Sequence, residues 1–353
     1  MISKNFWKNK RVFITGHTGF KGSWLVTLLS ELNSELHGYS LKPDNKSMFR
    51  QLNLKKLLKK NYYGDINNYS NLKKKIKISK PEIVIHLAAQ SLVKKSYKLP
   101  IPTYRANLIG TLNLLDICKD ENIKSILIVT SDKVYKNDNE NKNNKKFFSE
   151  NDELGGNDIY SSSKACVEIM TKAFEKNFYK NTKSPFLATV RSGNVIGGGD
   201  WSEDRLIPDI VNSFINKKTL YVRNKFSVRP WQFVLDVLFG YLLVAESLYK
   251  KKATSKGSWN IAPDKGNIKV IDIINFFKKK MKLKVVFKKS NFHEANVLNL
   301  SSKKIKKFFK WKNFSNIDVS LNLTCDWYFT FINDKKNLEK ITKLQINKYL
   351  KKT

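Results

Sequence analysis

A chain of 353 residues exceeds one small core and suits one large domain or two intimate ones, and 41% hydrophobic residues with a mean hydropathy of −0.44 describe a water-soluble globular protein. The formal charge of +36 invites a nucleic-acid reading, but the cations are scattered lysines, with arginine confined to Arg11, Arg50, Arg105, Arg191, Arg205, Arg223 and Arg229. Nucleic-acid readers gather arginine and aromatics on one face, so the lysines read as solvated surface, no nucleic-acid partner is expected, and the few arginines mark places that need a planar fork.

In chain order, Lys10–Thr15 reads as a strand that runs into Gly16-His17-Thr18-Gly19-Phe20-Lys21-Gly22 and then an apolar-periodic helix through Trp24, Leu25, Leu28, Leu29 and Leu32. A G-x-x-G-x-x-G turn between strand and helix lets the backbone approach a pyrophosphate. The helix N-terminus adds free N–H groups and a positive dipole end. This predicts dinucleotide binding at Gly16, Thr18, Gly19, Phe20 and Gly22. The second strand, Glu35–Ser40, lacks the terminal acid that usually holds an adenosine ribose. Asp44 could loop back, Ser40 and backbone groups could do the job more weakly, or Lys42 could face a 2′-phosphate; the preferred cofactor is NAD.

Tyr62–Ile66 reads as a third strand ending in an acid. Asp65 and Ile66 could sandwich an adenine, or Asp65 could cap the helix from Asn67. Pro81–Gln90 is a fourth strand whose small residues Ala88 and Ala89, with Gln90, offer a flat ring a place against backbone. A helix follows from Pro102 to Lys119. Ile126–Val129 is a fifth strand, and Thr130-Ser131-Asp132-Lys133 at its end sets a hydroxyl, a carboxylate and an amine side by side, where ligands of open α/β sheets bind. Residues 136–157 read as a polar surface loop, with a lid role left open. Asp158 then opens a helix that places Tyr160 and Lys164 on one face. A nearby ammonium and a cofactor's positive nicotinamide would both favour the phenolate and make Tyr160 a usable base near neutral pH.

Leu187–Arg191 is a sixth strand, Ile207 and Ile210 belong to a helix, and Leu220–Asn224 is a short strand or edge. Ile271, Ile274 and Phe277 suggest a helix, Val285–Phe287 a strand, and Val319–Tyr328 and Leu338–Leu350 two more helices. Cys118, Cys166 and Cys325 are far apart, and the four histidines do not cluster, so neither a disulfide framework nor a metal site is expected. No apolar run approaches the roughly 18 residues of a membrane span, and Met1–Trp7 carries no signal-peptide core; a cytoplasmic protein with no membrane partner is expected.

The glycine turn with Thr15, the Ser131 region and Tyr160-x-x-x-Lys164 resemble the extended short-chain dehydrogenases/reductases. Nearly the whole chain resembles the CDP-glucose 4,6-dehydratases among these NAD-dependent sugar-nucleotide epimerases and dehydratases. The stretches that carry this are Phe6–Trp24, Ser131–Lys133, Arg191–Trp201, Asp204–Asp209, Ser227–Gln232 and His293–Ala295, with the Gly197-Gly198-Gly199-Asp200-Trp201 string the most discriminating. The resemblance implies a Rossmann-type doubly wound parallel sheet (residues 1–195, with a returning segment at about 227–258) and a smaller C-terminal α/β substrate domain (196–226 and 259–353). It implies dehydration of CDP-D-glucose for deoxysugar or surface-polysaccharide synthesis, with NAD as cofactor and a homodimer or dimer of dimers as assembly. Ser131, Tyr160 and Lys164 would serve the redox step. Asp132 as acid and Lys133 as base would serve the elimination, where many related dehydratases carry Asp-Glu. An ordinary lysine, with a pKa of about 10.4, is mostly protonated at neutral pH, so the base role calls for burial and nearby cations. Asn194, Arg205, Pro208, Tyr221, Arg223, Arg229 and His293 are the expected substrate contacts, with Arg229 on the pyrophosphate and Arg191 bracing the site. A different sugar-nucleotide 4,6-dehydratase, a 4-epimerase and an inactive NAD-binding protein are the competing readings.

Overall fold

The computed structural model describes residues 2–137, 146–180, 184–263, 268–288 and 298–352; the expected contact His293 lies outside them. Seven strands form the main sheet: β1 Arg11–Thr15, β2 Glu35–Ser40, β3 Lys60–Tyr63, β4 Ile83–His86, β5 Ser125–Val129, β6 Phe186–Ser192 and β7 Gly257–Ile261, in the order β7-β6-β5-β4-β1-β2-β3. Every neighbouring pair is parallel. The central strands are Val/Ile-rich and buried along their length, as a sheet covered on both faces requires. The strand order reverses between β1 and β4, the crevice where doubly wound sheets bind ligands.

Helix α1, Phe20–Glu31, and helix α2, Tyr69–Ser79, follow β1 and β3. A longer helical run covers Pro100–Tyr104, a π turn at Arg105–Ile109 and Gly110–Cys118. Helix α3, Ile159–Phe178, starts at Asp158, whose carboxylate accepts from the Ser161 amide at 2.9 Å, a cap that fixes where Tyr160 enters the fold. Helix α4, Val234–Tyr249, is almost wholly buried because it is covered on both sides, packing on β5 and β6 within a core that also takes Trp327, Ile346 and Tyr349 from the last two helices, Ile317–Asn333 and Leu338–Leu350. This core is continuous from Trp7 to Leu350.

The smaller elements stand over the carboxyl edge of the sheet. Leu220–Arg223 pairs with Val285–Lys288, and Val228–Arg229 with Ile268–Lys269. Helices Leu206–Ile215 and Val270–Lys280 flank them. The described part of the expected surface loop is held in place. Phe147–Phe148 pairs with Asn299–Leu300, Phe148 is buried, and the Glu150 carboxylate accepts from the Asn260 amide at 2.7 Å. Its polar composition hid these anchors, and residues 138–145 lie outside the described set. Cys118, Cys166 and Cys325 are free thiols. Among the described residues no group of His, Cys, Asp and Glu could hold a metal, and no helix is long and apolar enough to cross a membrane.

Candidate active site

One cleft of about 1700 Å³ runs along the carboxyl ends of β1 to β6, and every expected site residue within the described set lines it. Its floor is the segments that follow those strands, and its far wall is Asp200–Asp209, Leu220–Asn224 and Arg229.

At the β1 end the first and last glycines of the turn have no room for a side chain. Gly16 takes φ +73°, and a Cβ there would lie 2.7 Å from the Ala88 nitrogen; a Cβ on Gly22 would lie 2.2 Å from the Gly16 carbonyl oxygen. Gly19 caps α1 with no side-chain bond, so the first amides of the helix remain available to an anion. This cradle fits a dinucleotide diphosphate. Thr18 Oγ1 bonds Ser40 Oγ at 2.7 Å, while Lys42 and Asp44 are exposed on the same cleft, so all three expected ways of meeting a ribose are within the site. Asp65 caps no helix: its Oδ1 accepts from the amide and side chain of Asn67, and Asn68 caps α2. Ile66 is buried under Gly110, and Gln90 is tied down by Asn107, Thr103 and Leu92.

Ser131, Asp132 and Lys133 occupy the end of β5 and a short turn at Asp132–Val134. The Ser131 hydroxyl accepts from the Lys133 amide at 3.2 Å and donates to Asp132 Oδ1 at 3.0 Å. Asp132 is buried, and burial pushes its carboxyl up against the lowering pull of Lys133, Ser131, Arg229 and Lys21. Its Oδ2 has no hydrogen-bond partner, which leaves a buried polar atom for a ligand hydroxyl to satisfy. Lys133 is half-buried on the cleft wall.

Tyr160 and Lys164 are both buried. The Lys164 ammonium donates to the Val129 carbonyl at 3.1 Å, and burial, helped by Lys21, lowers it to about 8. Burial pushes the Tyr160 phenol up to about 12, opposed by Ser131 and Arg205. In the ligand-free chain desolvation outweighs the pull of neighbouring cations on Tyr160, and the lysine is bonded to backbone; the expected acidity also called on the positive nicotinamide of a bound cofactor.

Lys21 is a site residue that the motif reading passed over. Its Nζ donates to Ser192 Oγ at 3.2 Å and to the Tyr241 hydroxyl at 3.3 Å, and burial lowers it to about 8. The signal was a lysine between Gly19 and Gly22 on the first turn of an otherwise apolar helix. His17, also buried, bonds Asn61 at 2.6 Å and is held near 4 by burial, a neutral packing group.

On the far wall, Arg205 pairs with Asp200 at 2.9 Å and reaches Ser91 Oγ at 3.0 Å, linking the two sides of the cleft. Arg223 stands 3.8 Å from Asp204, and exposed Tyr221 carries the Lys288 ammonium over its ring at 4.2 Å. Pro208 sits in the first turn of the helix Leu206–Ile215, and the Asn194 carbonyl accepts from Gln232. Arg229 is buried, donates to the Val228 carbonyl at 2.9 Å and faces Asp132 electrostatically. Arg191 does not line the cleft and forms a buried pair with Glu168, as a brace would. Within the glycine string Gly198 answers to packing: a Cβ there would lie 2.0 Å from Trp327 Cγ, and the Trp24 indole donates to the Gly198 carbonyl at 2.9 Å. The close neighbour at Gly198 is thus a tryptophan of a distant helix, while Gly197 and Gly199 on either side line the cleft.

Residues 12–262 match the NAD dependent epimerase/dehydratase family. The chain is 40% identical over 365 residues to the CDP-glucose 4,6-dehydratase of Salmonella typhimurium, covering 100% of this chain and 99% of that protein. It is 32% identical over 247 residues to the dTDP-D-glucose 4,6-dehydratase of Dictyostelium discoideum, covering 67% and 55%. Its fold matches a dTDP-glucose 4,6-dehydratase from Streptomyces venezuelae (TM-score 0.79, 19% identity, 94% and 99% of the two chains). It also matches the UDP-glucose 4-epimerase of Thermotoga maritima (TM-score 0.78, 21% identity, 91% and 99%). The chain belongs to the NAD dependent epimerase/dehydratase family.

Proposed function

We propose that this chain is a hydro-lyase that converts CDP-D-glucose to CDP-4-keto-6-deoxy-D-glucose with NAD as cofactor. The observation that carries the reading is the Asp132–Lys133 pair on the cleft wall beside Ser131, Tyr160 and Lys164: a buried carboxyl pushed toward its acid form next to an amine. A 4-epimerase needs the tyrosine and lysine but no second acid and base. The full-length likeness to a CDP-glucose 4,6-dehydratase supports the nucleotide.

In this reading the glycine turn and the α1 amides hold the diphosphate of NAD, and Lys164 holds its ribose. Bound NAD supplies a reversible hydride store, accepting from carbon 4 and giving back to carbon 6. Ser131 orients the 4-hydroxyl and Tyr160 takes its proton, which requires the phenol to fall from about 12 as the site fills with cationic partners. The 4-ketone acidifies the hydrogen on carbon 5. Lys133 removes it, and Asp132 protonates the 6-hydroxyl, which departs as water; when carbon 6 is reduced, protonated Lys133 returns a solvent-exchanged proton to carbon 5. Arg229 and Arg205 face the nucleotide diphosphate, and Leu220–Arg223 forms the wall for the base.

We also read a homodimer, because the helical run from Pro100 to Cys118 and helix α3 leave Ile101, Ile109, Ile169 and Phe178 exposed. The function is tested by incubation with CDP-, UDP-, dTDP- and GDP-glucose and added NAD, reading the alkali absorbance of a 4-keto-6-deoxy product. Turnover of CDP-glucose is expected; turnover of another sugar nucleotide alone would refute the nucleotide and keep the reaction.

A further inference from the structure

The Glu168 carboxylate is fully buried and accepts five hydrogen bonds: from Thr130 Oγ1 at 2.5 Å, Arg191 Nε at 2.9 Å, Arg191 Nη2 at 2.7 Å, Thr189 Oγ1 at 2.7 Å and Ser258 Oγ at 3.0 Å. These donors come from the end of β5, from β6 and from β7, so one side chain on α3 ties three strands to that helix. Arg191 continues the chain of bonds, donating through Nη1 to the Tyr135 hydroxyl at 2.8 Å, which in turn donates to Asn260 Oδ1 at 2.6 Å. Thr130 and Tyr135 are the residues immediately before and after the run that holds Ser131, Asp132, Lys133 and Val134. Glu168 is four residues after Lys164 and eight after Tyr160, on the same face of α3.

We propose that Glu168, locked to Arg191, is a positioning residue of this site: it clamps both ends of the segment Thr130–Tyr135 to the helix face that carries Tyr160 and Lys164. The inference rests on the proposed roles of those residues. The device suits a site whose two steps use groups on different elements. The redox step needs Tyr160 on α3 and Ser131 after β5, and the elimination needs Asp132 and Lys133 on the same short turn. A bidentate guanidinium–carboxylate pair fixes distance and angle together, which a single hydrogen bond does not. The charge has a second effect. Glu168 raises Lys164 in opposition to burial and to Lys21 from the glycine turn; His86 from β4 also faces Lys164 but is held neutral, at about 3, by burial and by that ammonium.

The test compares Glu168→Gln with the wild-type chain, each shown to be folded by circular dichroism and thermal melting, with CDP-glucose and saturating NAD. The glutamine keeps the shape and loses the charge. We expect kcat to fall roughly 10- to 100-fold with KM for the sugar nucleotide little changed, because the misplacement acts on the reacting groups. We also expect the alkaline limb of the kcat profile to move down by roughly one pH unit, because Lys164 loses its neighbouring carboxylate. A folded Glu168→Gln enzyme with wild-type kcat and an unmoved alkaline limb would overturn the inference. If that variant does not fold, Thr130→Val removes one bond and leaves the ion pair. A lower kcat that returns in Thr130→Ser supports the clamp, and an unchanged kcat in Thr130→Val overturns it. A wrong reaction would show in the wild-type chain as absence of product, whereas a wrong clamp would show only in the variants.

Discussion

The ammonium of Lys164 donates to the carbonyl of Val129 at 3.1 Å, so the lysine is anchored to the end of β5 and stands one helical turn from Tyr160. It shares the buried floor of the site with Lys21, and burial lowers both from 10.5 to about 8.

A depressed lysine makes a signed prediction about stability. Between pH 8 and 10.5 the unfolded chain keeps these two lysines protonated while the folded chain releases their protons. The unfolded state then binds more protons, so their contribution to stability rises with pH across that window. Urea unfolding of the ligand-free chain at several pH values should show this upward contribution, and Lys164→Met should remove part of the slope. An identical slope in the variant would place the Lys164 proton elsewhere.

Tyr160→Phe removes the proposed proton acceptor of the redox step and nothing else from the packing, since the ring remains. Turnover should drop by about 10²- to 10⁴-fold, the usual weight of a positioned general base, with an unchanged melting temperature. Steady-state rates beside a thermal melt check both halves of this statement.

The sheet was legible because its strands are short apolar runs that end at glycines or polar residues, and six of the seven were expected within one to four residues of their ends. β7 was not. Gly257-Ser258-Trp259-Asn260-Ile261 is short, opens on a glycine and carries only two apolar residues, and its pairing with β6 is a contact across sixty-odd residues that local pattern does not encode. Helix α4 was missed for a related reason: it is apolar on nearly every face, so it lacks the one-sided periodicity that marks a surface helix. The glycine turn, Ser131, Tyr160 and Lys164 were singled out from motif and spacing, and Asp132 and Lys133 were given their expected roles by resemblance; all of them line one cleft. Glu168 and Lys21 were not singled out, because only tertiary burial makes these ordinary charged helix positions interior ones.

At the second strand the chain departs from the usual acid. Ser40 bonds Thr18 there, and both hydroxyls line the cleft. Ser40→Asp should place a carboxylate against the ribose diol of NAD and tighten its binding by about tenfold, the worth of one added charge-assisted hydrogen bond. It should weaken NADP, whose 2′-phosphate it would repel. Isothermal titration with each cofactor checks the sign of both effects.

Gly198→Ala places a methyl 2.0 Å from Trp327 Cγ, in a core position where the indole is itself fully buried and bonded to Thr342 at 2.9 Å. Neither partner has room to retreat, so overpacking should cost about 1–3 kcal/mol of stability. Denaturant unfolding measures it, and Gly198→Ala with wild-type stability would mean that Trp327 can move.

The central claim is that Asp132 and Lys133 turn a dehydrogenase-like site into a dehydratase. It is tested most directly by following CDP-D-glucose with added NAD in D₂O by NMR, with the wild-type chain and Lys133→Ala side by side. A 4-keto-6-deoxy product that carries deuterium at carbon 5 is expected in the wild type, and loss of carbon-5 exchange in Lys133→Ala. A wild-type product that keeps its 6-hydroxyl and is inverted at carbon 4, or normal carbon-5 exchange in the variant, would contradict it.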